Sequence, residues 1–141
     1  MKSLVIFNKR PIPKTGKLEN GGNMNGLPSG IDLSFFHKKT LLQVCIGAND
    51  LILNFDEFVK ITITSHIGWT ESWGTHDTYE SFRNSASVIV NLLGKKITSV
   101  TGDDKGTLSL TFDGGGCLSV YDDSKQYESY VIKNGDKLIV V

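Results

Sequence analysis

The chain has 141 residues, of which 39% are hydrophobic and 21% are charged, and its formal net charge at pH 7 is zero. This size and composition exclude a disordered, fibrous or disulfide-dependent protein and predict one domain with its own buried core. The neutral total conceals a net charge of +5 over residues 1–40 and of −5 over residues 41–141. The lysines of the basic part are scattered and have no interleaved aromatic residues, so we expect no nucleic-acid partner.

The first 30 residues are the least regular part of the chain. An apolar run of four residues, LVIF at 4–7, predicts a first strand. This run is shorter than the about 7 to 15 apolar residues of a secretory signal or the about 20 of a membrane helix, so we expect a cytoplasmic protein with no membrane partner. Residues 8–30 are rich in Gly, Asn, Pro and Lys and predict a loose arm.

The rest of the chain contains two stretches that resemble each other at an offset of 57 residues. In both, apolar residues alternate with period two, and the segment Leu51–Asp56 falls on Leu108–Asp113. The strands before these segments fit better at an offset of 56, which a β-bulge or a different turn length would explain. The words TYESF (78–82) and QYESY (126–130) indicate that each half closes with the same strand.

These repeats predict the architecture. We expect a single all-β domain over residues 1–141, a sandwich or partly open barrel made of two similar β-meander halves, with at most one short helix. The halves are residues 31–84 and 85–132, preceded by the first strand and arm at 1–30 and followed by a C-terminal strand at 133–141.

One segment, SASVIVNLLG at 85–94, predicts the short helix. Ser85 or Ser87 would cap it, and Gly94 would end it in the left-handed conformation. His37 stands at the matching position of the first half, so we expect the same left-handed backbone there.

The two halves differ by nine residues within SHIGWTESWGTHD (65–77), which holds both tryptophans of the chain. Trp is prominent among the residues that dominate binding energy at protein interfaces, although both rings could instead cap an open end of the fold. Six carboxylates lie between residues 50 and 80, and six more between 101 and 128, so one acidic rim that attracts a basic partner is expected. The predicted partner-binding residues are Trp69, Glu71, Trp73, His76, Asp77, Glu80, Asp103, Asp104, Asp122 and Asp123.

No standard catalytic or metal motif is present, so we predict no catalytic residue, no metal and no cofactor. His66, His76 and Asp77 could bind a metal in principle, but their spacing matches no standard zinc site. Cys45 and Cys117 each lie in an apolar run and predict two buried, reduced thiols.

A different function remains open from the same residues. A small-ligand binding protein or minor enzyme would need a pocket between the halves, lined by His66, His76, Tyr79 and Tyr127. Tyr79, Glu80, Tyr127 and Glu128 could also form an acid–base set. We favour the structural interpretation, in which such strands alternate a buried ring with an exposed acid.

The segments LPSGIDLSFFHKKTLLQVCIGANDLILNFD and GTLSLTFDGGGCLSVYDDSKQYESYVI resemble a family of small, β-rich bacterial proteins of unknown function. Its pattern includes an aliphatic-x-Phe-Asp strand and a closing Tyr-Glu-Ser-Tyr motif, and the resemblance covers residues 27–132. The chain departs from the pattern at His37, where the family usually has Gly, and in the Trp-rich segment. The family is similar to immunity proteins of contact-dependent growth inhibition toxins, and supplies no catalytic residues.

Together, the acidic rim, the tryptophans and this resemblance predict a non-enzymatic protein-binding module. We expect a cytoplasmic immunity protein that covers the basic active site of a toxin domain, such as a nuclease. The chain itself would be a monomer or a weak homodimer.

Overall fold

The computed structural model describes residues 5–8, 27 and 30–141. Over these residues the chain forms eleven strands and one α-helix, α1, at Ala86–Val90. Short 3-10 turns occupy Ser34–Phe36 and Arg83–Ser85. The strands are β1 (Val5–Asn8), β2 (Leu41–Ile46), β3 (Leu51–Phe55), β4 (Val59–Ile63), β5 (Ile67–Thr70), β6 (His76–Tyr79), β7 (Ile97–Gly102), β8 (Leu108–Phe112), β9 (Cys117–Val120), β10 (Tyr130–Asn134) and β11 (Lys137–Val140). The prediction of an all-β fold with at most one short helix is confirmed, and the loose arm at 8–30 lies largely outside the described residues.

The strands form two sheets that pack as a sandwich. The six-stranded sheet has the order β1-β11-β10-β4-β3-β2, and the five-stranded sheet has the order β6-β5-β9-β8-β7. All pairings are antiparallel except that of β1 with β11, which is parallel. Neither sheet closes into a barrel within the described residues, so the sandwich is the correct one of the two predicted forms.

Alternating side chains build the core between the sheets. In β3 and β8 every second residue is buried, from Leu51 to Phe55 and from Leu108 to Phe112. Residues of β4 and β10 continue the same inner face, with Ile61 opposite Ile132 and both fully buried. The period-two pattern therefore assigned the buried faces correctly, because a strand places successive side chains on opposite faces.

Each half is a three-stranded meander that receives its remaining strands from the other half. The first meander, β2-β3-β4, is extended by β10 and β11, and the second, β7-β8-β9, is extended by β5 and β6. Tyr130 pairs with Ile63 in one sheet as Ile67 pairs with Val120 in the other. The exchange relates the two halves by an approximate twofold axis and makes neither sheet complete without both halves.

Hydrogen bonds where the two meanders meet show the same symmetry. Around the bridge between Thr40 and Lys96, the N–H of Lys38 donates to the carbonyl of Ile97 (2.8 Å), and the N–H of Gly94 donates to the carbonyl of Leu41 (2.8 Å). The two bonds exchange when 56 is added to or subtracted from each residue number. The predicted similarity of the halves therefore extends to their backbone contacts.

The change of offset from 56 to 57 comes from a turn. Both first strands carry an irregularity at the same place, between Leu41 and Gln43 in β2 and between Ile97 and Ser99 in β7. The turn from β2 to β3 has four residues, whereas the turn from β7 to β8 has five. The bulge is shared by the halves, so of the two explanations for the slip, turn length is the correct one.

Two sequence predictions about the halves are wrong. Tyr79 ends β6, whereas Tyr127 lies in the loop before β10, so the two Tyr-Glu-Ser words are not equivalent. The strands that do correspond, β5 and β10, are offset by 63 residues. The predicted nine-residue insertion in the first half is therefore also wrong, because the link from β9 to β10 is longer than the link from β4 to β5.

The left-handed position is displaced by one residue from His37. His37 is extended, with φ −60° and ψ 128°, while Lys38 has φ 68°. Lys38 matches Gly94 at the offset of 56 that holds here, and Gly94 has φ 83° and follows α1 as predicted. Reading the offset as 57 placed the left-handed residue one position too early.

Candidate functional site

Five predicted partner-binding residues lie at one end of the five-stranded sheet. Here Gly102 pairs with Leu108 at the turn from β7 to β8, and Ile67 pairs with both Val120 and Tyr79. The loops that leave these positions therefore emerge side by side, although they come from both halves of the chain. We call this surface the acidic end, defined by Glu80, Asp103, Asp104, Asp122 and Asp123.

Asp103 has a structural part in the turn that carries it. Its Oδ1 accepts hydrogen bonds from the N–H groups of Lys105 and Thr107, each at 2.9 Å. The buried hydroxyl of Tyr130 donates to the carbonyl of Gly106 (2.6 Å) and ties this turn to β10. Burial, and secondarily the charge of Asp103, raises the pKa of Tyr130 well above its usual range. The turn is thus held in one shape, and its carboxylates have fixed positions.

The loop from β9 to β10 carries the other two aspartates. Asp123 Oδ2 lies 2.5 Å from Nδ1 of His66, which precedes β5. Oδ1 of Asp122 accepts a hydrogen bond from the hydroxyl of Ser129 (2.7 Å). These contacts connect the loop to both halves of the chain and preorganise the carboxylates of the acidic end.

Trp69 does not belong to an exposed surface, contrary to the prediction. It lies in β5 with 7% of its surface exposed, and its ring covers Gly116, where a Cβ atom would collide with it. At the corresponding place of the other sheet, Val59 stands where Gly116 does and Ile132 where Trp69 does. A large ring beside a glycine replaces two aliphatic side chains, so Trp69 is a core residue.

The second tryptophan is exposed but lies far from the acidic end. Trp73 is 76% exposed in the turn from β5 to β6, and Glu71 begins the same turn. This turn contacts Gly115, at the opposite end of the sheet from Asp103. Trp73 and the acidic end therefore do not form one continuous rim, although Trp73 stays available for a contact of its own.

His76 and Asp77 lie on the edge strand β6. The ring of His76 is held on the outer face of the sheet, with Nδ1 2.7 Å from Thr70 Oγ1 and Nε2 3.2 Å from the hydroxyl of Tyr121. Asp77 pairs with Trp69 and is exposed at the edge. A charged residue on an edge strand hinders pairing with other strands, which is a sufficient structural role for Asp77.

The pocket that the alternative function requires is not assembled. His76 faces outward from the five-stranded sheet, His66 pairs with Asp123, and Tyr79 packs against the core. Tyr127 lines a separate cleft of about 490 Å³ on the outer face of the six-stranded sheet, beside Thr62 and Val131. These four residues therefore do not converge on one cavity between the halves.

The two cysteines are half-buried and unpaired with each other. Cys45 lies on β2 and Cys117 on β9, in different sheets. No group of three or more His, Cys, Asp or Glu side chains in the described part of the chain is arranged to hold a metal ion. No helix among the described residues is long and apolar enough to cross a membrane.

One feature of the surface was missed from the sequence. Phe58, at the tip of the turn from β3 to β4, is 86% exposed, and it lines a groove of about 650 Å³ with Leu42, Lys60 and Lys133. The alignment of the halves contained a signal, because the glycines of FDGGG stand where the first half has FDEFV. A bulky residue in place of a turn glycine is unusual enough to mark the position.

Comparison with known proteins places the chain in a family. It matches no curated protein and no solved structure. A family model does match residues 35–141, which contain both meanders, the helix, the exchanged strands and both candidate surfaces. The chain therefore belongs to DUF6188, a family of unknown function.

Proposed function

We propose that this protein is a non-enzymatic protein-binding module whose acidic end binds a basic protein. The observation that carries the proposal is the convergence of carboxylates from separate loops of both halves on one end of the sandwich. The acidic residues in the loops at this end are Asp50, Glu80, Asp103, Asp104, Asp122, Asp123 and Glu128, and the basic residues are Lys105 and Lys125. Such an excess attracts a basic partner and speeds its association.

The more specific proposal is that the partner is a toxin domain, which the protein neutralises as an immunity protein. A nuclease is the class that fits best, because a site that holds phosphate groups is basic. A rigid acidic surface over that site would exclude the substrate. The hydrogen bonds of Asp103, Asp122 and Asp123 support this role because preorganised loops lose little conformational entropy on binding.

The test uses two variants with the same change of charge. Glu80→Gln/Asp104→Asn/Asp123→Asn neutralises the acidic end, and Glu71→Gln/Asp77→Asn/Asp113→Asn neutralises three exposed or half-exposed carboxylates elsewhere. Each protein is immobilised and exposed at low salt to a lysate of the organism that carries the gene. A basic protein should be retained by the parent and by the second variant but not by the first.

Kinetics and activity then separate the two levels of the proposal. The association rate of the purified partner should fall by about tenfold in the acidic-end variant, and by less at 0.5 M salt, because salt screens exposed charges. Equal rates for both variants would contradict the binding surface. RNA or DNA cleavage by the partner should stop at a one-to-one ratio, and undiminished cleavage would remove the immunity role while leaving the binding role intact.

A further inference from the structure

The turn from β3 to β4 has an unfavourable backbone. Glu57 has φ 57° and Phe58 has φ 65°, and the N–H of Val59 faces the carbonyl of Asp56 at 3.4 Å. This is the geometry of a two-residue hairpin turn with two left-handed residues, which strongly prefers Asn-Gly. A residue other than Gly, Asn or Asp in this conformation costs about 1–2 kcal/mol. Such strain at an exposed tip indicates a function for the side chain.

The second half provides an internal comparison for this turn. Phe55 pairs with Val59 as Phe112 pairs with Gly116, so Glu57 and Phe58 correspond to Gly114 and Gly115. Both glycines also have positive φ, 96° and 94°. The same fold is therefore built without strain in one half and with strain in the other, so the sandwich itself does not require Phe58.

Leu42 extends the apolar surface around Phe58. It stands at the irregularity between Leu41 and Gln43, where no residue of β3 opposes it, and it is 61% exposed. A bulge of this kind redirects a side chain. The matching residue of the second half is Thr98, so the apolar character of the site is again confined to the first half.

Two lysines complete the groove. Lys60 and Lys133 are directly opposite each other on β4 and β10, both half-buried, and like charges in this relation destabilise a sheet. Within the described residues neither ammonium has a carboxylate within 4.0 Å, the limit that defines an ion pair. The matching pair of the other sheet, Cys117 and Thr70, is uncharged. The first half thus places two positive charges where a bound anion would relieve their repulsion.

The tip is fixed rather than loose. The N–H of Gly135 donates to the carbonyl of Phe58 (3.1 Å), and Lys39 Nζ lies 3.0 Å from Glu57 Oε1. These contacts come from the turn between β10 and β11 and from the chain before β2. An exposed ring on an anchored backbone loses little freedom when it is covered, which favours binding.

We propose that this surface, the Phe58 groove formed by Leu42, Phe58, Lys60 and Lys133, binds an acidic segment of a partner protein. In that segment a bulky apolar side chain is adjacent to a carboxylate. The apolar side chain packs on Phe58 and Leu42, and the carboxylate lies between the two ammonium groups. The cavity volume, about 650 Å³, is within the range of about 300–1,000 Å³ that binding pockets enclose. This site lies on the other sheet and at the other end of the sandwich from the acidic end, so it does not depend on the proposed function.

The test uses the full chain and a labelled peptide, Gly-Ser-Glu-Phe-Glu-Ser-Gly, with fluorescence anisotropy as the readout. We expect saturable binding that weakens by about tenfold or more in Phe58→Gly and in Lys133→Gln, a factor equivalent to losing one good contact. Two matched controls should bind like the parent. Trp73→Ala removes another exposed aromatic ring, and Lys105→Gln removes another exposed lysine.

Peptide variants identify the chemistry that is recognised. Replacing both Glu by Gln, or Phe by Ala, should each weaken binding by about tenfold or more. In a two-dimensional NMR titration, shifts should be confined to residues 54–60 and 133–136. Equal binding of the Glu and Gln peptides, or no saturable binding, would overturn the proposal. Sedimentation that shows a dimer dissociated by Phe58→Gly would also overturn it, since the occupant would then be a second copy of the chain.

Discussion

Replacing the strained turn of the first half by its preferred sequence should stabilise the protein. In Glu57→Asn/Phe58→Gly, relief of two left-handed residues contributes about 2–3 kcal/mol. About 1 kcal/mol is lost to the greater freedom of Gly in the unfolded chain. The exposed Lys39–Glu57 ion pair and the 14% of Phe58 that is buried together contribute about another 1 kcal/mol. The net gain is therefore about 1 kcal/mol.

Urea unfolding monitored by tryptophan fluorescence measures this gain. The midpoint should rise while the dependence of the unfolding free energy on urea stays unchanged. The melting temperature should rise by about 3 °C for a chain of this length. Phe58→Ala removes the ring but retains the left-handed backbone, so its stability should stay close to that of the parent.

A mirrored variant tests the reasoning from the other half. Gly114→Ala introduces a Cβ that has only the end of Lys95 nearby, at 4.0 Å, so its effect is purely conformational. We expect a loss of about 1 kcal/mol because φ at Gly114 is 96°. If the Asn-Gly variant lost 1 kcal/mol or more, the ring of Phe58 would be a packing element, and the argument from strain would fail.

Three further predictions follow from the site residues. Tyr130→Phe should cost about 1–2 kcal/mol, because the carbonyl of Gly106 loses its buried donor; burial also raises the pKa of Tyr130, so the parent should lose stability above about pH 10, where only the unfolded chain releases that proton, and the variant should lose less in urea titrations across pH. Gly116→Ala should cost about 1–3 kcal/mol in the same assay, because its methyl group collides with the ring of Trp69. Trp73→Ala should change the unfolding free energy by less than about 0.5 kcal/mol, since its ring is 76% exposed, and a larger loss would assign Trp73 to the core.

The local pattern of the sequence was sufficient for the meanders because it acts through neighbouring residues. The alternation in β3 and β8 decides which face is buried, and the repeat between them locates the second meander. Gly94 ended the helical segment as expected, since few other residues tolerate its φ of 83°. These features depend on short-range geometry, which a single sequence displays directly.

The failures concern contacts between distant parts of the chain. Nothing near β5 in sequence shows that it pairs with β9, so the similarity of two short Tyr-Glu-Ser words outweighed the true correspondence of β5 with β10. Trp69 was expected at a surface because its partner in packing, Gly116, is distant in sequence. The acidic end was anticipated as one surface for residues on separate loops, whereas Trp73 was placed with it wrongly because the two ends of the sheet were not distinguished.

The approximate symmetry of the sandwich separates what the fold requires from what it does not. Features that both halves share, such as the bulge in the first strand of each meander, satisfy the backbone and need no functional explanation. Both proposed surfaces lie instead where the halves differ. The loop with Asp122 and Asp123 has nine residues between strands, against three in the first half, and the Phe58 turn replaces two glycines. A sandwich that needed only stability would be expected to use the shorter link and the unstrained turn twice. The two departures therefore indicate where this chain contacts other molecules, and each can be returned to the sequence of the other half without changing the fold that carries it.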